Sequence, residues 1–242
     1  SNNYLFLTSN YKNWQAGLQA EAYPPDALLN YNPGYKGTKV ATYYLQYKNK
    51  KIDLVAGYFY EQFGSGLILR SWEDRTLGIN NALRGGKIVF RPSESIKLTG
   101  LYGKQRSGFT VTNSTIFGFD TDISLNQFFN IESNDLTVGC SYVGRDEITE
   151  VENPIFPSRT DAFSGRINYS NKSYYFSSEY DYKSKDAIVE ANSLQESFIK
   201  PGNAFLLNIG YSEKGLGIDA TFRRLENMSF FSERKAKGNQ YN

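Results

Sequence analysis

The chain has 242 residues, with 27 Lys and Arg against 25 Asp and Glu, so its net charge is only +2 and it lacks the basic excess of a nucleic-acid binder. It has no histidine, which removes Ser-His and Asp-His hydrolase arrangements and His metal sites, and one cysteine, Cys140, which removes any intramolecular disulfide. Aromatics make up 16% of residues, with 19 Tyr and 17 Phe, yet mean hydropathy is −0.52, a balance that suits strands carrying one apolar face.

No run of about eighteen apolar residues is present, so no transmembrane helix is expected. The start, SNNYLFLTSN, reads at once as a strand with no basic-then-apolar leader before it. Either a leader has been removed or the chain is a piece of a longer one.

Period-two alternation then runs along the chain, and no helix of any length is predicted. Trp14, Ala16, Leu18 and Ala20 alternate with Gln15, Gly17, Gln19 and Glu21. Residues 24–39, with three prolines and two glycines, read as a long loop. Ala41, Tyr43, Leu45 and Tyr47 share one face; Leu54, Ala56, Tyr58 and Tyr60 share the next. Further strands are centred on Ile88 and Phe90, on Leu98 and Tyr102, and on Val138 and Tyr142. The last four are centred on Phe163 and Ile167, Phe176 and Tyr180, Leu207 and Ile209, and Ile218 and Phe222. The total is about a dozen strands.

Short turns are predicted at 48–51, 92–95, 170–173 and 212–215. Long connections are predicted at 24–38, 62–86, 104–115, 145–160 and 183–203. Short on one side and long on the other is the pattern of an up-and-down transmembrane β-barrel. The polar faces carry Asp53, Lys97, Arg166, Glu179, Asp219 and Arg223, which a wet lumen accommodates. Tyr47, Tyr58, Tyr60, Tyr102, Tyr142, Tyr169, Tyr182 and Tyr211 end the apolar faces, where an amphipathic ring suits a lipid–water boundary. Cys140 reads as a small apolar filler on such a face.

Residues 61–87 break the alternation. Arg70, Trp72, Glu73, Asp74, Arg75 and Arg84 gather charge around one indole among five glycines. A segment of this kind between two strands can fold inward and form a charged constriction, or stay outside as a solvated loop. Glu73 and Asp74 are adjacent, so on a strand they point apart, and no nucleophile accompanies them; no enzyme activity is expected. The Asp120-Thr121-Asp122 run lacks the spacing and closing Glu of a Ca²⁺ loop, and no metal or other cofactor is expected. The polar ending, SERKAKGNQYN, is unlike a closing strand, so the chain reads as a single β-barrel domain over 1–242, the N-terminal part of a longer barrel.

Residues 59–106, from FYEQFGSGLILRSWEDRTLGINNALRGGK onward, together with the terminal ERKAKGNQYN, resemble a family of uncharacterised outer-membrane β-barrel proteins of Bacteroidetes-type bacteria. The resemblance implies a location and a fold and carries over no catalytic or ligand residue.

The fold expected is therefore all-β, an antiparallel up-and-down transmembrane β-barrel of about twelve or more strands, incomplete in this chain. The function expected is a passive outer-membrane pore or a barrel subunit of an envelope complex. Its partners would be outer-membrane lipid, lipopolysaccharide and envelope proteins. The alternatives are a non-conducting structural barrel and a soluble β-sandwich that binds at a surface. Mixed lumen charges predict no strong preference between anions and cations.

Overall fold

The computed structural model describes residues 3–23, 34–76, 78–129, 134–147, 155–190 and 193–228. Of the loop expected at 24–38, residues 24–33 lie outside the described residues, as does the polar ending, and the loop's last two residues belong to a strand.

The strands are β1 (Asn3–Tyr11), β2 (Trp14–Tyr23), β3 (Gly37–Lys48), β4 (Ile52–Phe59), β5 (Glu73–Asp74), β6 (Ile79–Asn80), β7 (Leu83–Ser93) and β8 (Ile96–Ser107). After them come β9 (Thr110–Val111), β10 (Thr115–Ser124), β11 (Asp135–Asp146), β12 (Arg159–Ser170), β13 (Tyr174–Glu190), β14 (Ser193–Glu213) and β15 (Leu216–Glu226). A single sheet of 13 strands takes all but β5 and β6, in the order β1-β2-β3-β4-β7-β8-β10-β11-β12-β13-β14-β15, with β9 paired on β8. Every pairing is antiparallel, and apart from the steps over β5–β6 and β9 it joins neighbours in the chain, which is the expected up-and-down topology. Among the described residues the sheet is not closed: β1 and β15 are its edges.

Three expectations are corrected. Residues 183–203 are not a loop but the extended ends of β13 and β14, paired from Lys183↔Gly202 to Glu190↔Ser193 across two register shifts. β10 is a strand beyond those expected; its acidic run hides a regular alternation of Phe117 and Phe119 with Ile116 and Asp120. A one-turn helix, Leu125–Phe128, follows it on the short-turn side. Ala41 does not share a face with Tyr43: the register shifts by one between Gln19↔Thr42 and Ala20↔Val40, which leaves Ala41 as the extra, buried residue of a bulge.

The sheet curls strongly. Gly57, Gly85 and Gly103 lie opposite one another across β4, β7 and β8. A Cβ on Gly85 would stand 2.0 Å from the Tyr102 carbonyl oxygen, and one on Gly57, at φ +111°, 2.4 Å from Tyr43 O. Such a row of bare backbone lets three strands bend together as a corner. The curl brings distant strands into contact. Glu21 on β2 and Arg106 on β8 are four strand steps apart, about 19 Å in a flat sheet at about 4.8 Å per strand. Their carboxylate and guanidinium nevertheless meet at 2.8 Å.

One face of the sheet is turned outward and apolar. Leu45, Leu54, Tyr102, Phe163, Tyr180, Ile209 and Phe222 stand exposed on it. Rings collect along two lines. At the short-turn rim Trp14 packs on Tyr47 at 5.0 Å and Tyr174 on Tyr211 at 4.9 Å. Toward the other rim Phe117, Tyr142 and Phe163 follow one another at 6.0 and 5.1 Å. Tyr60 is an exception to the expected girdle: it lies past the end of β4 and its hydroxyl meets Asn80.

Candidate functional site: a segment folded against the inner face

β4 ends at Phe59 and β7 starts at Leu83; the residues between them turn back over the concave, inner face of the sheet. The first half is a narrow loop. Ser71 N–H donates to Glu61 O at 2.8 Å, Phe63 N–H to Leu69 O at 3.1 Å, and Gly66 N–H to Phe63 O at 2.9 Å. Gly64, at φ +52°, turns its tip in the left-handed region, and a Cβ there would strike the Glu179 carboxylate at 2.7 Å. That carboxylate, on β13, accepts hydrogen bonds from Ser65 N–H at 2.8 Å, Ser65 Oγ at 3.0 Å and Ser164 Oγ at 3.3 Å.

Sequence order makes this contact informative. β13 is six strand steps from β4, about 29 Å in a flat sheet. Phe59 to Ser65 is six residues, at most about 21 Å of chain. The wall must therefore curve toward the segment.

Apolar packing holds the loop in place. Phe63, with no exposed surface, forms one cluster with Leu67, Ile68, Leu69 and inward residues of six strands: Val55, Leu101, Ile116, Val143, Ala162 and Ala204. Period-two alternation alone does not predict this cluster. The signal was present in Val55, Leu101 and Val143, which put apolar side chains on the face expected to be wet. An apolar residue on a lumen face needs a cover from inside.

The second half carries the predicted charges. β5 and β6 pair through Glu73↔Asn80 and Asp74↔Ile79. Trp72 N–H donates to Asn81 Oδ1 at 2.6 Å. Arg75 donates to Glu73 from Nε and Nη2, both at 3.3 Å, and lies over the rings of Tyr4 and Phe6 on β1 at 4.9 and 4.7 Å. Against its desolvation, those bonds hold the Arg75 guanidinium above its ordinary pKa. Asp74 accepts from Thr76 N–H at 2.9 Å, and Glu61 pairs with Lys87 at 3.0 Å. Arg70 stacks 4.5 Å over Trp72 and is exposed, with no acidic partner among the described residues. The segment thus reaches from β13 on one flank to β1 on the other.

Five of the six predicted residues, Arg70, Trp72, Glu73, Asp74 and Arg75, belong to this segment. Arg84 does not join them. It alternates with buried Leu83 on β7, so its side chain is on the outward face. A cavity of about 30 Å³ lies under the loop, lined by Gly66 to Ser71, Asn81, Leu83, Gln105 and Ile116.

Three charge networks line the inner face. Arg166 on β12 donates to Asp120 at 2.7 Å, to Asp122, and to Ser141 Oγ at 2.6 Å. The Asp-Thr-Asp run therefore presents both acids on one strand face to a guanidinium two strands away. Nearer the long-loop rim, Arg145 pairs with Glu147 and, at 2.7 Å, with Asp186. Glu21 is bound by Arg106, by Gln19 Nε2 at 2.7 Å and by the Tyr23 hydroxyl at 3.0 Å. Among the described residues no group of three or more acids and Cys has metal-site geometry, and no helix is long and apolar enough to cross a membrane.

No curated protein matches the chain. Among solved structures, the crystal structure of Acinetobacter baumannii OccAB3 is similar over 88% of this chain and 70% of that one, at 11% identity and a TM-score of 0.43. The model of a family of unknown function, DUF6029, matches residues 1–242, the whole of the sequence, and the chain belongs to that family.

Proposed function

We propose that this chain is a wall of an outer-membrane β-barrel pore and that residues 60–82 form its constriction. The observation that carries the reading is the opposition of the two faces. Outward rows are apolar and exposed; inward rows hold paired charges and an inserted segment. Tyr174 and Tyr182, eight residues apart on β13, are about 27 Å apart along the strand. A tilt of about 40° reduces that to about 21 Å, close to the height of a barrel's lipid-facing band. The resemblance of residues 59–106 to outer-membrane barrels of Bacteroidetes-type bacteria supports the same location. Lipid, lipopolysaccharide and envelope proteins are the partners that follow, and no catalytic group is invoked.

The test is a planar bilayer recording of the purified protein after it shows heat-dependent mobility on a denaturing gel. A steady current supports the pore, and Arg70→Ala with Arg75→Ala then changes its ion selectivity. A second reading, a non-conducting scaffold barrel, is favoured by the apolar cluster around Phe63, which seals part of the interior. Heat-dependent mobility without current would select it.

A further inference from the structure

We propose that the inward segment holds a site for a small oxyanion, a carboxylate or a phosphate, bound by Arg70 beside Trp72. The inference rests on the reading of residues 60–82 as facing a water-filled lumen.

Three observations converge. The acids of the segment are already engaged: Glu61 with Lys87, Glu73 with Arg75 and Asn80, Asp74 with Thr76. Arg70 is exposed and has no acid among the described residues, only the Trp72 ring 4.5 Å beneath its guanidinium. Stacking on an indole leaves the planar N–H fork free to take two oxygens side by side. Independently, the Trp72 Nε1–H is enclosed and has no hydrogen-bond acceptor among the described residues. An enclosed donor without an acceptor is rare in a folded protein and calls for a partner. Two neighbouring donors that lack acceptors ask for the same chemistry, a group that brings oxygens and negative charge.

The surroundings set the size. Arg70 also lines the cavity of about 30 Å³ with Ser71, Asn81 and Gln105. Trp72 does not line it, so it offers room on the Arg70 side only, enough for the head of a small anion rather than a whole large solute. A cation is disfavoured, because the free charge here is positive.

Trp14 and Trp72 are the two tryptophans of the chain. Trp14→Phe makes Trp72 the reporter, in detergent-solubilised protein that retains heat-dependent gel mobility. Emission is followed against sodium acetate and against inorganic phosphate, with chloride holding ionic strength constant. The expected result is a saturable change with at least one oxyanion and none with chloride. Saturation by acetate alone assigns a carboxylate, and by phosphate alone a phosphate. Arg70→Gln raises the half-saturation concentration at least tenfold, while Arg84→Gln, on the outward face, leaves it unchanged. No saturable response, or an equal one in Arg70→Gln, overturns the site. A protein that responds in this way and carries no current refutes the pore but keeps the anion site; a conducting protein with a silent Trp72 does the reverse.

Discussion

Glu21→Ala is expected to be among the most costly single substitutions in the sheet. Glu21 and Arg106 have side chains 1% and 0% exposed, and they meet twice, at 2.8 Å and 3.3 Å. Truncating the acid leaves a buried guanidinium with only the Gly108 carbonyl to receive its Nε–H. Breaking a buried pair from one side costs about 3–5 kcal/mol. The reverse change, Arg106→Met, is milder at about 1–3 kcal/mol, because Gln19 and Tyr23 still donate to the carboxylate. The double variant removes both charges, so its cost falls short of the sum by about 2 kcal/mol. Urea titration of protein in lipid vesicles, read as loss of the unboiled gel band, measures all three. Costs that add within about 0.5 kcal/mol would mean that β2 and β8 do not meet across the interior, and the curl deduced from this pair would be wrong.

Phe63→Ala empties the centre of the inner cluster and should cost about 3–5 kcal/mol, with easier proteolysis inside 60–82; an unchanged cleavage rate would refute the packing. Ser65→Ala with Glu179→Gln cuts the tie to β13, and single-channel records should become noisier as the segment loosens, whereas quiet records would leave the tie without a role. Gly139→Ala puts a Cβ 2.6 Å from the Arg166 guanidinium, so Arg166 swings off Asp120 at a cost of about 1–3 kcal/mol by urea titration; a neutral result would place Arg166 elsewhere. Cys140 stands exposed on the outward face, yet in a membrane it should resist a charged maleimide until detergent is added. Prompt labelling in vesicles would instead place this face in water and refute its lipid-facing assignment.

Period-two alternation made the topology legible. On strands that alternate so regularly, every side chain's face follows from its number, so the inward placement of Asp53, Arg166, Glu179 and Asp219 and the outward placement of Tyr174, Tyr180 and Tyr182 could be read directly. Tyr175, between them, turns inward to donate to Asp219 at 2.7 Å. Thus the rings of 174–182 do not share one environment. Alternation also separates Arg84 from Arg70, a distinction lost by reading residues 61–87 as one loop.

The sequence by itself determined an all-β, up-and-down sheet with one apolar face, because side-chain direction along a strand is a local property with a period of two. Tertiary structure alone decided which residues meet across the interior. Ser65 and Glu179 are 114 positions apart, and Glu21 and Arg106 are 85 apart. Their encounters depend on how far the sheet curls, which is set by the summed bend of many strands and by a glycine row whose members are distant in the chain. No local pattern carries that sum. The inward course of residues 60–82 has the same origin: the segment is polar and glycine-rich enough for a solvated loop, and only the concave apolar patch made by six separate strands draws it inside.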